Sequence, residues 1–431
     1  MNLRIRPCRI LRGSATVPGD KSISHRALVL GAIAQGVSHV RGWLPAGVCQ
    51  AMLAAVRALG VTVEQPAPTE LIIHGAGLRG LRPPAGPIDC QGSGATMRMV
   101  AGILAGHPFT SILDGHAGLR RRPMERVAAP LREMGATIET HDGCPPLTIT
   151  GGKLHGIDYH MPVASAQVKT AILLAALYAE GATVVHEPGP GRDHTERMLR
   201  AQGVDVKAHD NTITLVPPGK RPLAPCSLSV PADFSSAAFP LVAALLVPGS
   251  DLYLESIGVN STRTGLLDVL RGMGAEIAWL NQAEQGGEPV ADLLVRGGEL
   301  RGVEVGGDTV VRMIDEFPIL AVAATQAQGE TVVRDARELR VKESDRIAAV
   351  VGELRKLGAS IEERDDGFVV QGPTRLRGGP VHSHGDHRLA MALVVAGLVA
   401  AGETVIEGTE AIGESFPGFA DLMRGLGAEI G

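Results

Sequence analysis

The chain has 431 residues, with only 2 Trp, 3 Tyr and 7 Phe, yet 45% of it is hydrophobic; glycine (55) and proline (28) are abundant. Its core is therefore built from Ala, Val, Leu and Ile, and its length suits two or three domains. The aliphatic content and a net charge of −5 exclude a disordered chain, and the acidic balance with few aromatics excludes a basic or base-stacking nucleic-acid binder.

The N-terminus, Met1 to Gly13, lacks the apolar stretch of a signal peptide. The longest apolar run, Ala390 to Gly402, is too short to span a bilayer. Cys8, Cys49, Cys90, Cys144 and Cys226 are odd in number and scattered, which argues against a disulfide framework or a zinc site. The expectation is a cytoplasmic protein without membrane or nucleic-acid partners.

Two motifs recur along the chain. The first, an apolar residue followed by Arg-x-x-Gly, ends at Gly60, Gly135, Gly203, Gly274, Gly358 and Gly427. Each copy reads as a helix C-terminus. Arginine suits the negative end of the helix dipole, and glycine a left-handed position just beyond the helix. The second motif is an Ala-rich apolar segment ending in glycine: 25–36, 97–106, 168–181, 237–249, 318–329 and 388–402. These segments are apolar nearly all round and so predict buried helices. The repeating unit is buried helix, strand, outer helix, strand, strand. Six units divide as three plus three. The strands within Leu3 to Val17 are expected to pair with the C-terminal half, giving a discontinuous domain of 1–19 plus 232–431 around a continuous domain of 20–231.

The chemistry-bearing residues lie at the starts of these helices. Taken in order, they are Gly19-Asp20-Lys21-Ser22-Ile23-Ser24-His25-Arg26, Gln91-Gly92-Ser93-Gly94-Ala95-Thr96-Met97-Arg98 and Ala164-Ser165-Ala166-Gln167-Val168-Lys169. The second half adds Ala232-Asp233-Phe234-Ser235-Ser236, Met313-Ile314-Asp315-Glu316 and Asp386-His387-Arg388. Single Ser and Asp residues here read as N-caps. The recurrent lysines and arginines do not, because a positive helix end disfavours cations unless an anion is held. Basic runs at Arg120-Arg121-Arg122, Arg192-Asp193-His194 and Arg340-Val341-Lys342 start the outer helices, with Pro123 placed in a first helical turn. Together they predict an interdomain cleft for a polyanionic small molecule. No nucleotide-binding glycine motif is present, and His382-x-His384-x-x-His387 reads as a loop and helix cap rather than a metal site.

These motifs, with Leu119-Arg120-Arg121-Arg122-Pro123-Met124, Arg192-Asp193-His194-Thr195-Glu196 and Arg340-Val341-Lys342-Glu343-Ser344-Asp345-Arg346, resemble 5-enolpyruvylshikimate-3-phosphate (EPSP) synthases in order along essentially the whole chain. The Ser-Ala-Gln and Arg-Asp-His-Thr-Glu variants resemble the bacterial class II branch. The resemblance implies an α/β fold of two inside-out, barrel-like domains with three repeated units each. It implies transfer of enolpyruvyl from phosphoenolpyruvate (PEP) to the 5-hydroxyl of 3-phosphoshikimate, in the shikimate pathway to aromatic amino acids. Neither metal nor organic cofactor is implied, and a monomer is expected. Asp315 is the implied base for the hydroxyl, and Glu343 with Lys21 the proton donor. Lys21, Ser22, Arg26, Ser165, Ala166, Gln167, Arg192, Asp315 and Lys342 would take 3-phosphoshikimate. Lys21, Gly94, Arg122, Gln167, Arg346 and Arg388 would take PEP.

Departures from the family pattern fall at Gly92 (usually Asn), Ala95 (often Thr), His116 (usually Asp) and Gly118 (usually Ser), and at Val48 and Glu414 in place of Asp and Lys. A UDP-N-acetylglucosamine enolpyruvyl transferase would carry a reactive cysteine in 115–122, where this chain has none. A non-catalytic anion-binding paralogue would need neither Asp315 nor Glu343.

Overall fold

A computed structural model describes residues 1–431. The chain forms two compact units: residues 1–18, 231–284 and 289–431 make one, and residues 19–230 and 285–288 the other. Each has its own apolar core. No helix is long and apolar enough to cross a membrane.

The unit of residues 19–230 carries helices α1 (Lys21–Ile33), α2 (Gly47–Ala58), α3 (Gly94–Ala105), α4 (Glu125–Glu133), α5 (Ala166–Ala176) and α6 (His194–Ala201). The unit containing both termini carries α7 (Phe234–Leu246), α8 (Gly265–Gly272), α9 (Asp308–Arg312), α10 (Phe317–Gln326), α11 (Arg346–Lys356), α12 (His387–Val399) and α13 (Phe419–Gly425). The Ala-rich helices α1, α3, α5, α7, α10 and α12 are buried along nearly their whole length. Small residues permit this packing. A methyl group on Gly102 of α3 would come within 2.4 Å of the Ala171 carbonyl oxygen of α5.

The sheets repeat one plan. Strand Gln35–Arg41 lies between the short parallel strand Leu228–Ser229 and the hairpin Thr62–Ala67/Glu70–Ala76. Strands Thr110–Asp114, Thr183–His186 and Gly329–Val333 occupy the equivalent place in their own sheets. In the last repeat the N-terminal strand Asn2–Ile5 pairs antiparallel with Thr404–Glu407 where a hairpin strand lies in the others. Strand Arg12–Ala15 pairs parallel with Asp251–Gly258.

All six Arg-x-x-Gly motifs close helices. The six glycines have φ between 84° and 111°. In each, the glycine N–H donates to the arginine carbonyl and the next N–H reaches back five residues, as in Gly135 to Arg132 (2.9 Å) and Ala136 to Leu131 (3.1 Å). This double bond pattern satisfies carbonyls that the helix end leaves open. The arginines do more than complement the dipole: Arg57, Arg132, Arg271, Arg355 and Arg424 each donate to a carbonyl six residues on, pinning the following strand.

Two local expectations are corrected. The buried helices begin one to four residues, and end one to five residues, earlier than the apolar segments suggested, so Lys21, Ser22, Gly94, Ala166 and Gln167 lie in first helical turns rather than ahead of them. The side chains of Asp20, Ser93, Ser165, Asp233 and Asp386 are the caps that set these starts. The glycines at 36, 249, 329 and 402 lie beyond the helices with positive φ, Gly36 and Gly329 already within the next strands. Pro123 precedes α4 instead of opening it. Arg120 and Arg121 lie in a 3-10 turn, Leu119–Arg121, with Arg122 as its C-cap.

Candidate active site

In the unit of residues 19–230, the capped starts of α1, α3 and α5 carry the polar groups. Arg26 on α1 is 2% exposed. Its Nε donates to Thr195 Oγ1 (2.7 Å), Nη2 to Thr170 Oγ1 (2.7 Å) and Nη1 to the Ser22 carbonyl (3.0 Å). One buried cation thus joins α1, α5 and α6 through neutral oxygens. Burial lowers its pKa to about 10, against the favourable charges of Glu196 and Asp20. Arg192 Nη1 reaches Ser22 Oγ at 3.4 Å. Ser165 caps α5 through the Val168 N–H, at 3.5 Å.

Gln167, Gly94 and Arg122 meet around a residue that the motif reading did not assign, Arg98. Buried on α3, Arg98 donates to Gln167 Oε1. A Cβ built on Gly94 would stand 3.0 Å from Arg122 Nη1 and 3.1 Å from Arg98 Nη1. Two guanidinium groups therefore converge on the start of α3, where the positive helix end already favours an anion. His25 ties the same region together. Its Nδ1 lies 2.7 Å from the Lys21 carbonyl, and its Nε2 lies 3.0 Å from the Val48 carbonyl and 3.2 Å from Ser93 Oγ. Burial, the largest influence, lowers its pKa to about 4, so the imidazole is neutral at pH 7.

Lys169 is also outside the assigned set. Its buried ammonium lies 2.6 Å from both Glu187 and Glu196 and 3.4 Å from the Gly191 carbonyl. It anchors the 187–196 segment that carries Arg192. Burial opposes the charge on Lys169, but Glu196 and Glu187 outweigh it and raise its pKa.

In the unit containing both termini, Arg346 is the hub. It is 2% exposed and donates from Nε to Asp386 (2.7 Å), from Nη1 to Asp315 (3.2 Å) and from Nη2 to Glu343 (2.8 Å). Burial opposes its charge, yet Asp386, Glu343 and Asp315 together raise its pKa above the usual arginine value. Asp386 also caps α12 through the Arg388 N–H, at 2.8 Å. The proposed base and acid are thus two carboxylates on one guanidinium. Lys342 sits 3.8 Å from Glu338, and burial lowers its pKa to about 8 despite Glu338 and Asp315. Arg388 is 1% exposed, and its Nε and Nη1 are buried with no hydrogen-bond partner. Such a cation is costly unless an anion completes it. His384 pairs with Glu353 at 2.7 Å, while His387 is the first residue of α12.

The model of the family described as EPSP synthase (3-phosphoshikimate 1-carboxyvinyltransferase) matches residues 5–423. The chain belongs to the EPSP synthase family. A Desulforamulus reducens protein named 3-phosphoshikimate 1-carboxyvinyltransferase is 51% identical over 426 residues, 98% of this chain and 99% of its own. A Desulforudis audaxviator protein of the same name is 51% identical over 431 residues, covering both chains completely. The solved EPSP synthase of Acinetobacter baumannii superposes with a TM-score of 0.89 at 46% identity, covering 100% of this chain and 99% of that one.

Within this family member the structure groups Lys21, Ser22, Arg26, Gly94, Arg122, Ser165, Ala166, Gln167 and Arg192 in one unit, and Asp315, Lys342, Glu343, Arg346 and Arg388 in the other. Arg98 and Lys169 could have been found as basic residues one turn into apolar helices, where only a buried partner sustains a charge.

Proposed function

We propose that this chain is a 3-phosphoshikimate 1-carboxyvinyltransferase, joining the C2 carbon of PEP to the 5-hydroxyl of 3-phosphoshikimate and releasing phosphate. The observation that carries the residue assignment is Arg388, a buried guanidinium with two unpartnered nitrogens at the start of α12. A phosphate or carboxylate of PEP supplies the missing acceptors.

In this reading Asp315 takes the hydroxyl proton as the C–O bond forms, and Glu343 with Lys21 delivers a proton to the PEP methylene carbon. The tetrahedral adduct then loses phosphate, and Glu343 takes back one methyl proton, which forms the product's enol ether and restores the acid. Arg346 holds both carboxylates in place. Lys21, Ser22, Arg26, Ser165, Ala166, Gln167, Arg192, Asp315 and Lys342 serve 3-phosphoshikimate; Lys21, Gly94, Arg122, Gln167, Arg346 and Arg388 serve PEP. Both substrates carry several negative charges, so positioning and charge neutralisation supply much of the rate. We read the enzyme as a cytoplasmic monomer without a cofactor.

Phosphate release from PEP tests the function. Release that depends on 3-phosphoshikimate is expected. Tight binding of either substrate without release would overturn it.

A further inference from the structure

We propose that His116 is a positioning residue for the Gly94–Arg122 pair, seated by the missing side chains at Gly92 and Gly118; the proposal rests on the reading that this pair takes PEP.

Three of the departures from the family pattern, at 92, 116 and 118, meet at one imidazole. A Cβ built on Gly92 would lie 2.5 Å from His116 Nε2 and 3.2 Å from its Cε1. A Cβ on Gly118 would lie 2.9 Å from Cε1 and 3.2 Å from Nδ1. Real Cβ atoms essentially never approach within 3.0 Å, so neither position accepts a side chain while the ring stays in place. Neither glycine is needed for its backbone, since neither is among the positive-φ residues. The space is what the ring requires.

The imidazole works as a cap. The N–H groups of Gly118 (3.1 Å) and Leu119 (3.3 Å) point at Nδ1, which must be unprotonated to accept them. The neutral ring therefore carries its proton on Nε2, the atom beside Gly92. The main chain of His116 completes the clamp. Its N–H donates to the Gln91 carbonyl (3.0 Å), and its carbonyl accepts from Leu119 (2.9 Å) and Arg120 (3.1 Å). The turn Leu119–Arg121 ends at Arg122, whose Nη1 stands over Gly94. His116 thus bolts the 91–94 loop to the turn that delivers Arg122. Removing the ring takes the acceptor from the Gly118 N–H, leaves Leu119 only the His116 carbonyl, and opens space over Gly92.

The experiment uses the full-length wild type, His116→Ala, Gly92→Ala and the double variant, with His116→Asn as rescue. His116→Ala should raise the PEP KM about fivefold while kcat and the 3-phosphoshikimate KM stay within about twofold. His116→Asn, whose amide oxygen can accept the same N–H groups, should recover most of that loss. Gly92→Ala should raise the PEP KM and lower the melting midpoint in the wild-type background, and do neither with Ala at 116. An unchanged PEP KM in His116→Ala, or a Gly92→Ala effect equal in both backgrounds, would overturn the proposal. The melting midpoints need no substrate. If wild type releases no phosphate from PEP, the functional reading fails, while additive midpoints would separately sink the seating of His116.

Discussion

Arg346 Nη1 stands 3.2 Å from Asp315 Oδ1, and the same guanidinium reaches Glu343 and Asp386 through its other nitrogens. The arginine therefore fixes the carboxylate proposed to receive the hydroxyl proton, alongside the one proposed to give a proton to carbon. Arg346→Lys keeps the charge but cannot serve three carboxylates from one planar fork. The expected result is a fall in kcat of about a hundredfold or more with 3-phosphoshikimate binding largely retained, read by steady-state phosphate release and calorimetric titration.

Lys342 provides a pH test. Burial lowers its pKa to about 8, so it is charged at pH 7 and loses that charge as pH rises through about 8. Affinity for 3-phosphoshikimate should weaken over that range, because an anion loses a cationic partner. In Lys342→Met the KM should be higher at pH 7 and flat across the interval. The sign for stability is opposite. The folded-state pKa lies below the ordinary lysine value of 10.5, so the penalty for holding Lys342 charged is relieved as pH rises between the two values.

Gly94→Ala places a methyl group 3.0 Å from Arg122 and 3.1 Å from Arg98. Both contacts fall on the ends of flexible arginine side chains, so the helix should tolerate the change while the two guanidinium groups are pushed aside. The PEP KM should rise roughly tenfold, with the melting midpoint little altered.

Lys169→Met leaves Glu187 and Glu196 facing each other in the interior. A loss of about 3–5 kcal/mol is expected in denaturant unfolding of the variant, with the lost cation no longer holding the 187–196 segment. Lys169→Met/Glu187→Gln/Glu196→Gln should recover much of it, because the uncompensated charges are removed.

The α/β class and the ends of six outer helices were legible because their determinants are local. Gly60 and its five counterparts need positive φ, and in five of the six motifs the arginine three residues earlier finds a carbonyl only six residues on. The buried helices start one to four residues before the apolar segments, because Lys21, Ser22 and Gln167 look like loop sequence. Their caps, Asp20 and Ser165, set the boundary instead. Partnerships such as Arg98 with Gln167, 69 residues apart, leave no trace in local spacing. Gly92, His116 and Gly118 were visible as three separate oddities, and only the folded chain makes them one cluster.

The measurement that tests the account most directly is Asp315→Asn, examined for turnover and for 3-phosphoshikimate binding in the same preparation. Phosphate release should fall by about a thousandfold or more, with the binding constant within a few-fold of wild type. Normal turnover in this variant would contradict the assigned proton path.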